Sequence, residues 1–502
     1  MSEEQDTSLE PVVSAEDMHA QRLQKAARMQ EAGLNLYGQK VTGLTSIESV
    51  RNAFLALPED STDRLEFQIA GRLMARRIMG KSLFANLKDQ GGTLQIYVQK
   101  NEVGDEAYEL FKDFDIGDIL SASGYAFRTR TGEISLHIHA FSLLSKGLRA
   151  LPEKYHGLKD TEQRYRQRYV DLIMNDEVRR TFELRSRIIA EIRNYLAGLG
   201  FMEVETPMMQ TLAGGAAAQP FKTFYNALGC TMYLRIAPEL FLKRLVVGGF
   251  EKVFEIGRNF RNEGMDRRHN PEFTCLELYQ AYSDCRGMME LLEEMITSVA
   301  MKTVGTLEIT AADGHLINLA RPWRVVAYQD LVKEKMGADW FELSIETQRQ
   351  KARDLGLNIP DQLDAGKITH EIYDKTIEDT LIQPTFVTRL PAFLVPLAKR
   401  CSDNPELVDV YELEINGQEI SPGYSELNDP ADQRARFGAQ KIGCSDSDGE
   451  VDRIDEDFLT ALEYGMPPTG GMGLGIDRLV MLFSGAESIR DVILFPQMRP
   501  QK

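Results

Sequence analysis

The sequence predicts an α+β protein in which a small β-barrel precedes a larger domain of strands and helices. Short alternating apolar runs separated by glycine turns fill the segment up to residue 150, and helical and strand patterns follow one another from residue 183. A chain of 502 residues also exceeds the size of one ordinary core. We therefore expect an N-terminal helical extension (1–60), a barrel (61–150), a linker (151–178) and a second domain (179–502), with a helical insertion at about 327–380.

Composition excludes several classes of protein. With 43% hydrophobic and 8% aromatic residues, the chain is not wholly disordered. No stretch approaches the roughly 18 consecutive apolar residues of a membrane span, so we expect no membrane partner. The cysteines are scattered, odd in number and without a C-x-x-C pair, which argues against a disulfide framework or a cysteine zinc site. They are Cys230, Cys275, Cys285, Cys401 and Cys444.

The first sixty residues predict a helix and no targeting signal. Residues 1–20 are acidic and lack an apolar core, so no secretory signal is visible and we expect a cytoplasmic protein. Residues 15–32 fit a helix that Ser14 and Asp17 cap and Gly33 ends. Its exposed face is polar, so we interpret it as a solvated helix or as an arm that faces a partner.

The barrel is predicted from alternating side chains. Residues 65–69, 94–98 and 134–138 each alternate apolar with polar residues, as half-buried strands do. Gly91-Gly92 and Thr131-Gly132 mark turns between such runs. About five short strands in roughly 90 residues predict a barrel of the OB type.

Charge is distributed unevenly between this barrel and the rest of the chain. The net charge of −18 argues, by itself, against a nucleic-acid partner. Residues 61–150, however, contain 12 basic and 11 acidic residues. We interpret a basic group near one strand, with Phe84 as a stacking ring, as a face for single-stranded nucleic acid. The alternative, which this segment alone favours, is a solvated charged strand with Phe84 in the core. The basic residues are Arg72, Arg76, Arg77 and Lys81.

A first cluster of chemically active residues follows an apolar strand at residues 253–256. It comprises Phe260-Arg261-Asn262-Glu263 and then residues 267–273. A planar guanidinium suits phosphate or carboxylate, and a phenylalanine ring offers a flat face to a nucleobase. The alternative is an ion-pair network on a solvated loop, but charge alone would not explain His269 and Phe273 at the base of the loop.

A second cluster is the glycine run at residues 470–475, which leads through Asp477 and Arg478 into an apolar helix. Glycines permit close approach of the backbone, and a helix N-terminus favours an anion. The run matches neither a Walker loop nor a G-x-G-x-x-G fingerprint. Because an arginine at the start of a helix opposes the helix dipole, we expect Arg478 to meet an external anion.

A third cluster is acidic. Glu412 and Glu414 lie on a predicted strand, and Glu419 and Glu426 follow. Glu412 and Glu419 suit Mg²⁺, which takes one or two carboxylates plus substrate phosphates. A surface hairpin that turns at Asn416-Gly417 carries equal weight from this segment alone.

Taken in order, these blocks resemble the class II aminoacyl-tRNA synthetases, and among them the lysyl-tRNA synthetases. GFMEVETP, which ends at Pro207, is similar to the family's dimer-interface motif, FRNEG with RHNPEF to its second motif, and GLGIDR to its third. Closer matches are RRIMGK, YHGLKDTEQRYRQRYVDLI, GGAAAQPF, YLRIAPEL, LKRLVVGG, SELND and IRDVILFPQMRP. The resemblance implies an OB-fold anticodon-binding domain, a catalytic domain built on an antiparallel sheet with flanking helices, and a homodimer. It also implies that L-lysine is ligated to tRNA(Lys) through lysyl-adenylate, with ATP as substrate and Mg²⁺ as cofactor.

The resemblance assigns the nucleotide to residues of the second and third motifs. It implies that Arg261 holds the α-phosphate and the lysine carboxylate, and that Arg478 holds the γ-phosphate. Phe273 would stack on adenine. Residues implied beside the nucleotide or its metal are Glu263, His269, Asn270, and the Mg²⁺ ligands Glu412 and Glu419.

The resemblance also assigns the amino acid and the anticodon. Gly215 and Glu239 would face the α-amino end of lysine, Tyr424 would wall its stem, and Tyr279 with Glu426 would receive its ε-ammonium. A neutral side chain would leave a buried carboxylate there unpaired, which explains selectivity. The barrel residues that match anticodon positions are Arg77, Phe84, Gln95 and Glu133.

Three positions depart from the family pattern. Pro422 stands where members usually have asparagine, so a contact to the amino-carboxylate end of the substrate is lost or replaced by Ser421. Gln219 replaces an arginine, and Phe224-Tyr225 replace two histidines. These changes bear on the affinity for the amino acid and on its identity.

Two other functions are weighed against ligation to tRNA. An enzyme that transfers lysine to a protein would resemble the second domain without the barrel. A non-catalytic paralogue that binds tRNA or a lysine analogue would carry damage at Arg261, Arg478 or the magnesium carboxylates, which are intact. Aspartyl and asparaginyl enzymes share the architecture, but Glu426 would repel an acidic substrate.

Overall fold

The computed structural model describes residues 14–58, 63–152, 158, 160–216, 218–441 and 454–501. The chain divides into two compact units, Met1–Gly157 and Leu158–Lys502. Several features of the sequence analysis lie outside the described residues: residues 1–13, residues 153–157 and 159 of the expected linker, Ala217 and Cys444.

The first unit is built around a closed barrel with strand order β1-β2-β3-β5-β4. The strands described are β1 (Glu66–Met79), β2 (Ser82–Asp89), β3 (Gly92–Gln99), β4 (Ile119–Arg128) and β5 (Ile134–Ser145). The helices described are α1 (Ala15–Glu31), α2 (Ile47–Leu55), α3 (Lys100–Val103) and α4 (Asp105–Asp113). The predicted OB-type barrel is confirmed.

Alternation along the strands decides which side chains fill this barrel. Leu83, Ala85 and Leu87 of β2 are buried inside, whereas Phe84 between them is half-buried on the outer face. The interpretation of Phe84 as a core residue is therefore wrong. The outer face is available to a ligand.

The second unit combines a large sheet with packed helices. Its described helices are α5 (Thr161–Arg166), α6 (Arg168–Met174), α7 (Asp176–Gly198), α8 (Glu239–Val247), α9 (Cys285–Thr303), α10 (Tyr328–Met336), α11 (Ile345–Asp354), α12 (Ala365–Thr376), α13 (Pro430–Lys441), α14 (Glu456–Glu463) and α15 (Ile476–Ser484). Its described strands are β6 (Met202–Glu203), β7 (Met209–Gln210), β8 (Lys222–Tyr225), β9 (Cys230–Leu234), β10 (Lys252–Phe260), β11 (Glu272–Ala281), β12 (Glu308–Thr310), β13 (Leu316–Asn318), β14 (Arg324–Ala327), β15 (Thr385–Thr388), β16 (Val410–Glu414), β17 (Glu419–Ser425) and β18 (Thr469–Gly475).

An eight-stranded sheet with the order β14-β15-β16-β17-β18-β11-β10-β6 forms the centre of this unit. Its six central strands, from β15 to β10, pair antiparallel, and only the outermost pairs, β14 with β15 and β6 with β10, are parallel. Helices α7, α9 and α15 bury Ile188, Leu292 and Val480 in one core with sheet residues such as Leu276. The predicted α+β class, with an antiparallel sheet and flanking helices, is confirmed.

One element differs from its sequence prediction. The segment FMEVETPMM, residues 201–209, is predicted from its sequence as one continuous strand after a turn at Gly200. That prediction is wrong, because the structure has only β6 and β7 in this range. Between them the Thr206 amide and hydroxyl donate to the Glu255 carboxylate, and Pro207 has no amide hydrogen to continue a ladder.

In the part of the chain that the structure describes, no helix is long and apolar enough to cross a membrane.

Candidate active site

A cavity of about 360 Å³ opens in the second unit on the sheet formed by β10, β11, β17 and β18. It collects residues that lie more than 200 positions apart in the sequence. The residues singled out in the sequence that line it are Gly215, Glu239, Arg261, Glu263, His269, Asn270, Phe273, Tyr279, Glu419, Tyr424 and Arg478. Glu412 and Glu426 are not among the lining residues. Arg77, Phe84, Gln95 and Glu133 lie in the first unit.

The loop between β10 and β11 places an arginine in the cavity. The Arg261 amide donates to the Pro271 carbonyl at 2.9 Å, which closes the base of this loop. The Arg261 guanidinium carbon lies 5.1 Å from the centre of the Phe273 ring. Its Nε is buried and has no hydrogen-bond partner among the described residues. A buried donor without a partner is costly, so this arrangement suits an anionic ligand.

A second arginine meets the same loop from another element. Arg478, in the first turn of α15, donates to the Glu419 carbonyl, and its Nη2 lies 3.2 Å from His269 Nε2. His269 Nδ1 in turn lies 2.8 Å from Asp266 Oδ2. Although burial acts in the opposite direction, hydrogen bonds from His269 and from the loop amides hold the pKa of Asp266 below its usual range. Arg478 and Arg261 therefore present two cations to one cavity.

Two further residues of the loop between β10 and β11 help to fix the shape of the cavity. Asn270 is buried, and its side-chain amide donates to the Glu272 carbonyl at 2.6 Å. Glu263 accepts a hydrogen bond from the Gln219 amide at 3.2 Å, and the Asn262 amide donates to the Gln219 carbonyl at 2.7 Å. Gln219, one of the departures from the family, therefore meets the loop through its backbone.

The opposite end of the cavity is acidic and buried. Tyr424 donates to Glu239 Oε2 at 3.0 Å, and Tyr279 donates to Glu277 Oε2 at 3.3 Å. Glu277 was not identified from the sequence as a residue of the site. The signal was its position two residues before Tyr279, which places both on one face of β11. Burial, and then the charge of Glu239, raise the pKa of Glu277 to about 8.

The carboxylate of Glu426 contacts a cation that the sequence analysis also missed. Lys243 Nζ contacts Glu426 Oε2 and lies 2.6 Å from Glu239 Oε1. The spacing of four residues between Glu239 and Lys243 on a helix is the signal that would have identified this pair. Gly471 permits the arrangement, because a Cβ there would lie 1.9 Å from Glu426 Oε1 and 2.6 Å from the Tyr279 ring.

Acidic residues crowd one another beside the cavity. Burial, followed by the charges of Glu419 and Glu378, raises the pKa of Glu412 well above its usual value. Burial and neighbouring carboxylates raise the pKa of Glu414 to about 10, and its Oε2 is buried without a partner among the described residues. No group of three ligand-type side chains positioned for a metal ion was found among the described residues. If these carboxyls were all ionised, the cluster would carry more negative charge than its protein neighbours offset.

The structure also decides how Pro422 is accommodated. Pro422 lines the cavity, and it pairs with Glu412 across β16 and β17. Ser421 is fully buried and donates its hydroxyl to the Gly473 carbonyl. The expectation that Ser421 replaces the missing asparagine contact is therefore wrong, since its hydroxyl is already used inside the sheet.

On the outer face of the barrel, aromatic and polar side chains form a row across neighbouring strands. Phe84 and Tyr97 stand opposite each other with ring centres 4.8 Å apart, and exposed Arg77 pairs with Phe84 on the other side. Gln95 donates to Glu133 at 3.1 Å on the same face. An aromatic ring beside an exposed cation and amide groups is typical of a surface that binds single-stranded nucleic acid.

Two of the arginines expected on that face instead donate hydrogen bonds to backbone carbonyls elsewhere in the first unit. Arg76 donates to the Phe111 carbonyl at 3.2 Å, and Arg72 donates to the Gly117 carbonyl at 2.8 Å. The expectation of four grouped basic residues was therefore wrong for these two. Of the four, Arg77 and Lys81 are exposed.

Comparison with known proteins identifies the family models that this chain matches and several proteins that are similar to it. Residues 160–499 match the family model of class II tRNA synthetases (D, K and N), and residues 67–144 match that of the OB-fold nucleic acid binding domain. The chain is 51% identical over 481 residues to a lysine–tRNA ligase of Carboxydothermus hydrogenoformans, covering 96% of this chain and 97% of the relative. It is 52% identical over 481 residues to that of Syntrophomonas wolfei, covering 96% of each chain. It is 47% identical over 493 residues to that of Staphylococcus saprophyticus, covering 97% of this chain and 99% of the relative.

Proposed function

The chain belongs to the class II lysine–tRNA ligases, and from this premise we propose how its residues carry out the ligation. The enzyme joins L-lysine to tRNA at the expense of ATP. The observation that carries this function is the similarity to a lysine–tRNA ligase, at 51% identity over 96% of this chain. The cavity supports it, because it has arginines at one end and buried carboxylates at the other. A non-catalytic or protein-modifying role has no support in these comparisons.

The first step is attack of the lysine carboxylate on the α-phosphate of ATP, which yields lysyl-adenylate and pyrophosphate. A carboxylate is ionised at neutral pH, so the step needs no general base. Catalysis then depends on position and on cations that offset the charge developing on phosphate. We assign that task to Arg261 at the α-phosphate and Arg478 at the γ-phosphate, with Phe273 stacked on adenine.

Glu263, His269 and Asn270 complete the nucleotide end of this proposal. His269 joins Arg478 to Asp266, and Asn270 shapes the loop that carries Arg261. Glu263 lies on the same loop beside Gln219. Their role is to hold the two arginines and the base in register, so that the reacting atoms meet in the correct geometry.

Glu412 and Glu419 would hold Mg²⁺, which would offset charge on the ATP phosphates. The crowded carboxylates around Glu412 fit a divalent cation, because burial and then their mutual repulsion raise their pKa values, and a cation would oppose both effects. A set of only two carboxylates also fits Mg²⁺, which completes its coordination with water and substrate phosphates.

The acidic end of the cavity would receive the amino acid. Gly215 has a φ of +89°, and a Cβ there would lie 3.2 Å from the Cβ atoms of Ala237 and Glu239, so this position suits glycine, and we assign it to the α-amino end of lysine. Glu239 faces that end, and Tyr424 covers the aliphatic stem. Tyr279, with the carboxylates of Glu277 and Glu426, would balance the ε-ammonium.

The second step passes the lysyl group from lysyl-adenylate to a hydroxyl of the terminal ribose of tRNA(Lys) and releases AMP. We place the U-rich anticodon of this tRNA on the barrel. Phe84 would stack on an anticodon base, while Arg77, Gln95 and Glu133 would read its edges and backbone. The aromatic and polar row on the outer face of the barrel supports this assignment.

Phe84→Ala should weaken tRNA use and leave the first step unchanged. Stacking of one base on an aromatic ring contributes about 1–3 kcal/mol, so we expect the KM for tRNA to rise by roughly 5- to 150-fold. Lysine-dependent pyrophosphate–ATP exchange, which needs no tRNA, should keep its wild-type rate. Tyr37→Ala, at an aromatic residue that is 56% exposed elsewhere in the first unit, is the control and should change neither. An unchanged KM for tRNA would remove Phe84 from the interface.

We also propose a cytoplasmic homodimer. Large apolar side chains around β6 and β7 are each at least 42% exposed, which is unusual for an uncovered surface and favours a second copy as the cover. They are Leu199, Met202, Met208 and Met209. Sedimentation at micromolar concentration should give twice the chain mass, and a stable active monomer would refute the dimer.

Pyrophosphate–ATP exchange measured against the twenty standard amino acids and β-lysine tests the function itself. Lysine should support the fastest exchange, because a diamino acid matches the buried carboxylates. Exchange that depended on another amino acid, and not on lysine, would overturn the assignment of the acidic end.

A further inference from the structure

Lys243 is a buried cation behind the amino-acid pocket. It lies on α8 one turn after Glu239, its side chain is 0% exposed, and it is not among the residues that line the cavity. Taking an ammonium out of water costs several kcal/mol unless partners offset the loss. Its Nζ has two such partners, Glu239 and Glu426. Burial lowers the pKa of Lys243, but these two carboxylates outweigh burial and raise it, so the side chain remains charged.

Carboxylates outnumber this ammonium. Glu239, Glu277 and Glu426 are all buried, and the charges of Glu239 and Glu277 act on Glu426. Arg235 does not add to the count, because its guanidinium pairs with Glu255. With Lys243 charged, the three carboxylates leave two negative charges in the pocket once all three are ionised. Burial opposes this ionisation until an ammonium is bound, because it raises the pKa values of Glu277 and Glu426. Free lysine carries two ammonium groups.

We propose that Lys243 is a positioning residue that neutralises one of the three carboxylates, so that the pocket keeps the two negative charges that the α- and ε-ammonium groups of lysine balance. This inference rests on the proposed function. Lys243 does not touch the substrate. It acts through Glu426 and Glu239, whose positions it sets by direct contact.

The surroundings of Glu426 leave Lys243 as its close cationic partner among the described residues. The titratable groups that face it are Lys243 and Glu239 from α8, Glu277 and Tyr279 from β11, and Tyr424 from β17. The fourth element, β18, presents Gly471, which has no side chain. Without Lys243, three carboxylates would share one enclosed space with no cation in contact, and one of them would hold its proton more tightly than in the wild type.

Lys243→Met keeps the length of the side chain and removes its charge. In pyrophosphate–ATP exchange we expect the KM for lysine to rise about tenfold or more, with a smaller change in kcat. The deficit relative to wild type should shrink between about pH 7 and pH 9, because the surplus carboxylate must lose its proton before it accepts an ammonium. Lys302→Met, at an exposed lysine of α9 paired with Glu191, is the matched control and should behave as wild type.

A double-mutant cycle separates charge balance from packing. Glu426→Gln alone removes one negative charge and should also raise the KM for lysine. The double variant, Lys243→Met with Glu426→Gln, restores the count of two and should bind lysine better than either single variant. A packing role would instead give a KM equal to the product of the two single effects, and that result would overturn the proposal.

Folding is monitored by circular dichroism and thermal unfolding of each variant. Replacing both members of a buried ion pair is tolerated better than replacing one, so the double variant should fold even where Lys243→Met does not. In that case a double variant with a higher KM than Glu426→Gln overturns the proposal, and a lower KM supports it. Failure of both to fold would show that the charge serves stability, which also overturns it. Wild-type protein that shows no lysine-dependent exchange would refute the proposed function instead.

Discussion

Arg261→Ala should reduce lysine-dependent pyrophosphate–ATP exchange by about a thousandfold. The effect should appear as a lower kcat and not only as a higher KM for ATP. Arg261 offers a buried Nε that has no partner among the described residues, at the point where the proposed α-phosphate would lie. Removing one preorganised donor from a developing negative charge costs about 10²–10³ in rate. The lost positive charge adds to that cost, because the same guanidinium would orient the lysine carboxylate.

The fold should survive this substitution. Arg261 lies in a loop, and its structural hydrogen bond to Pro271 is made by the backbone amide, which alanine retains. Arg286→Ala, at an arginine of α9 whose side chain is 85% exposed, is the control for removal of an arginine and should leave exchange unchanged. An Arg261→Ala enzyme that retained exchange within a few-fold of wild type would exclude this residue from the mechanism.

Glu277→Gln should lower kcat/KM for lysine by about a hundredfold and change its dependence on pH. Truncating one member of a buried, hydrogen-bonded charge pair costs about 2–5 kcal/mol, and the ε-ammonium of lysine would be the other member. Burial raises the pKa of Glu277 to about 8, and only its ionised form balances an ammonium. In the wild type kcat/KM for lysine should therefore increase as pH rises towards about 8. The variant should lack that increase.

The same substitution, Glu277→Gln, should raise the thermal stability of the protein at alkaline pH although it lowers the activity. A carboxyl group whose pKa is raised in the folded state stabilises the protein when it is protonated, at low pH, and this contribution is lost as pH rises through the folded-state pKa. Glu277→Gln removes that loss. We therefore expect the variant to unfold at a higher temperature than wild type above about pH 8. Glu290→Gln, at an exposed glutamate of α9, should change neither property. A wild-type kcat/KM that stayed flat between pH 6 and pH 8 would contradict the assignment.

Local patterns were sufficient for most of the fold. Alternation in the barrel and the apolar strands at each side of the Arg261 loop predicted elements that the structure contains, because each pattern lies within one short segment. The strand predicted over residues 201–209 failed for a tertiary reason. Thr206 bonds to the Glu255 side chain from a neighbouring strand, which no local pattern reports.

The residues of the candidate site also fall into two groups, those that the sequence identified and those that only the folded structure revealed. Arg261, His269, Phe273 and Arg478 lie in compact motifs, so their chemical types and spacing are visible in the chain. Glu277 was missed because its position two residues before Tyr279 becomes informative only when the burial of both side chains is known. The assignment of Arg76 to a binding face was wrong because its guanidinium bonds to helix α4, more than thirty residues away, at Phe111.

By itself, the sequence determined the α+β class, the barrel and the family, since these depend on periodicity and on contiguous motifs. The tertiary structure decided which charges meet. Lys243 and Glu426 are 183 positions apart, and they contact because α8 packs on β10 and β11 and because Gly471 has no side chain that would collide with Glu426. Electrostatic balance in a buried pocket depends on distance and desolvation, and both arise only when the chain is folded.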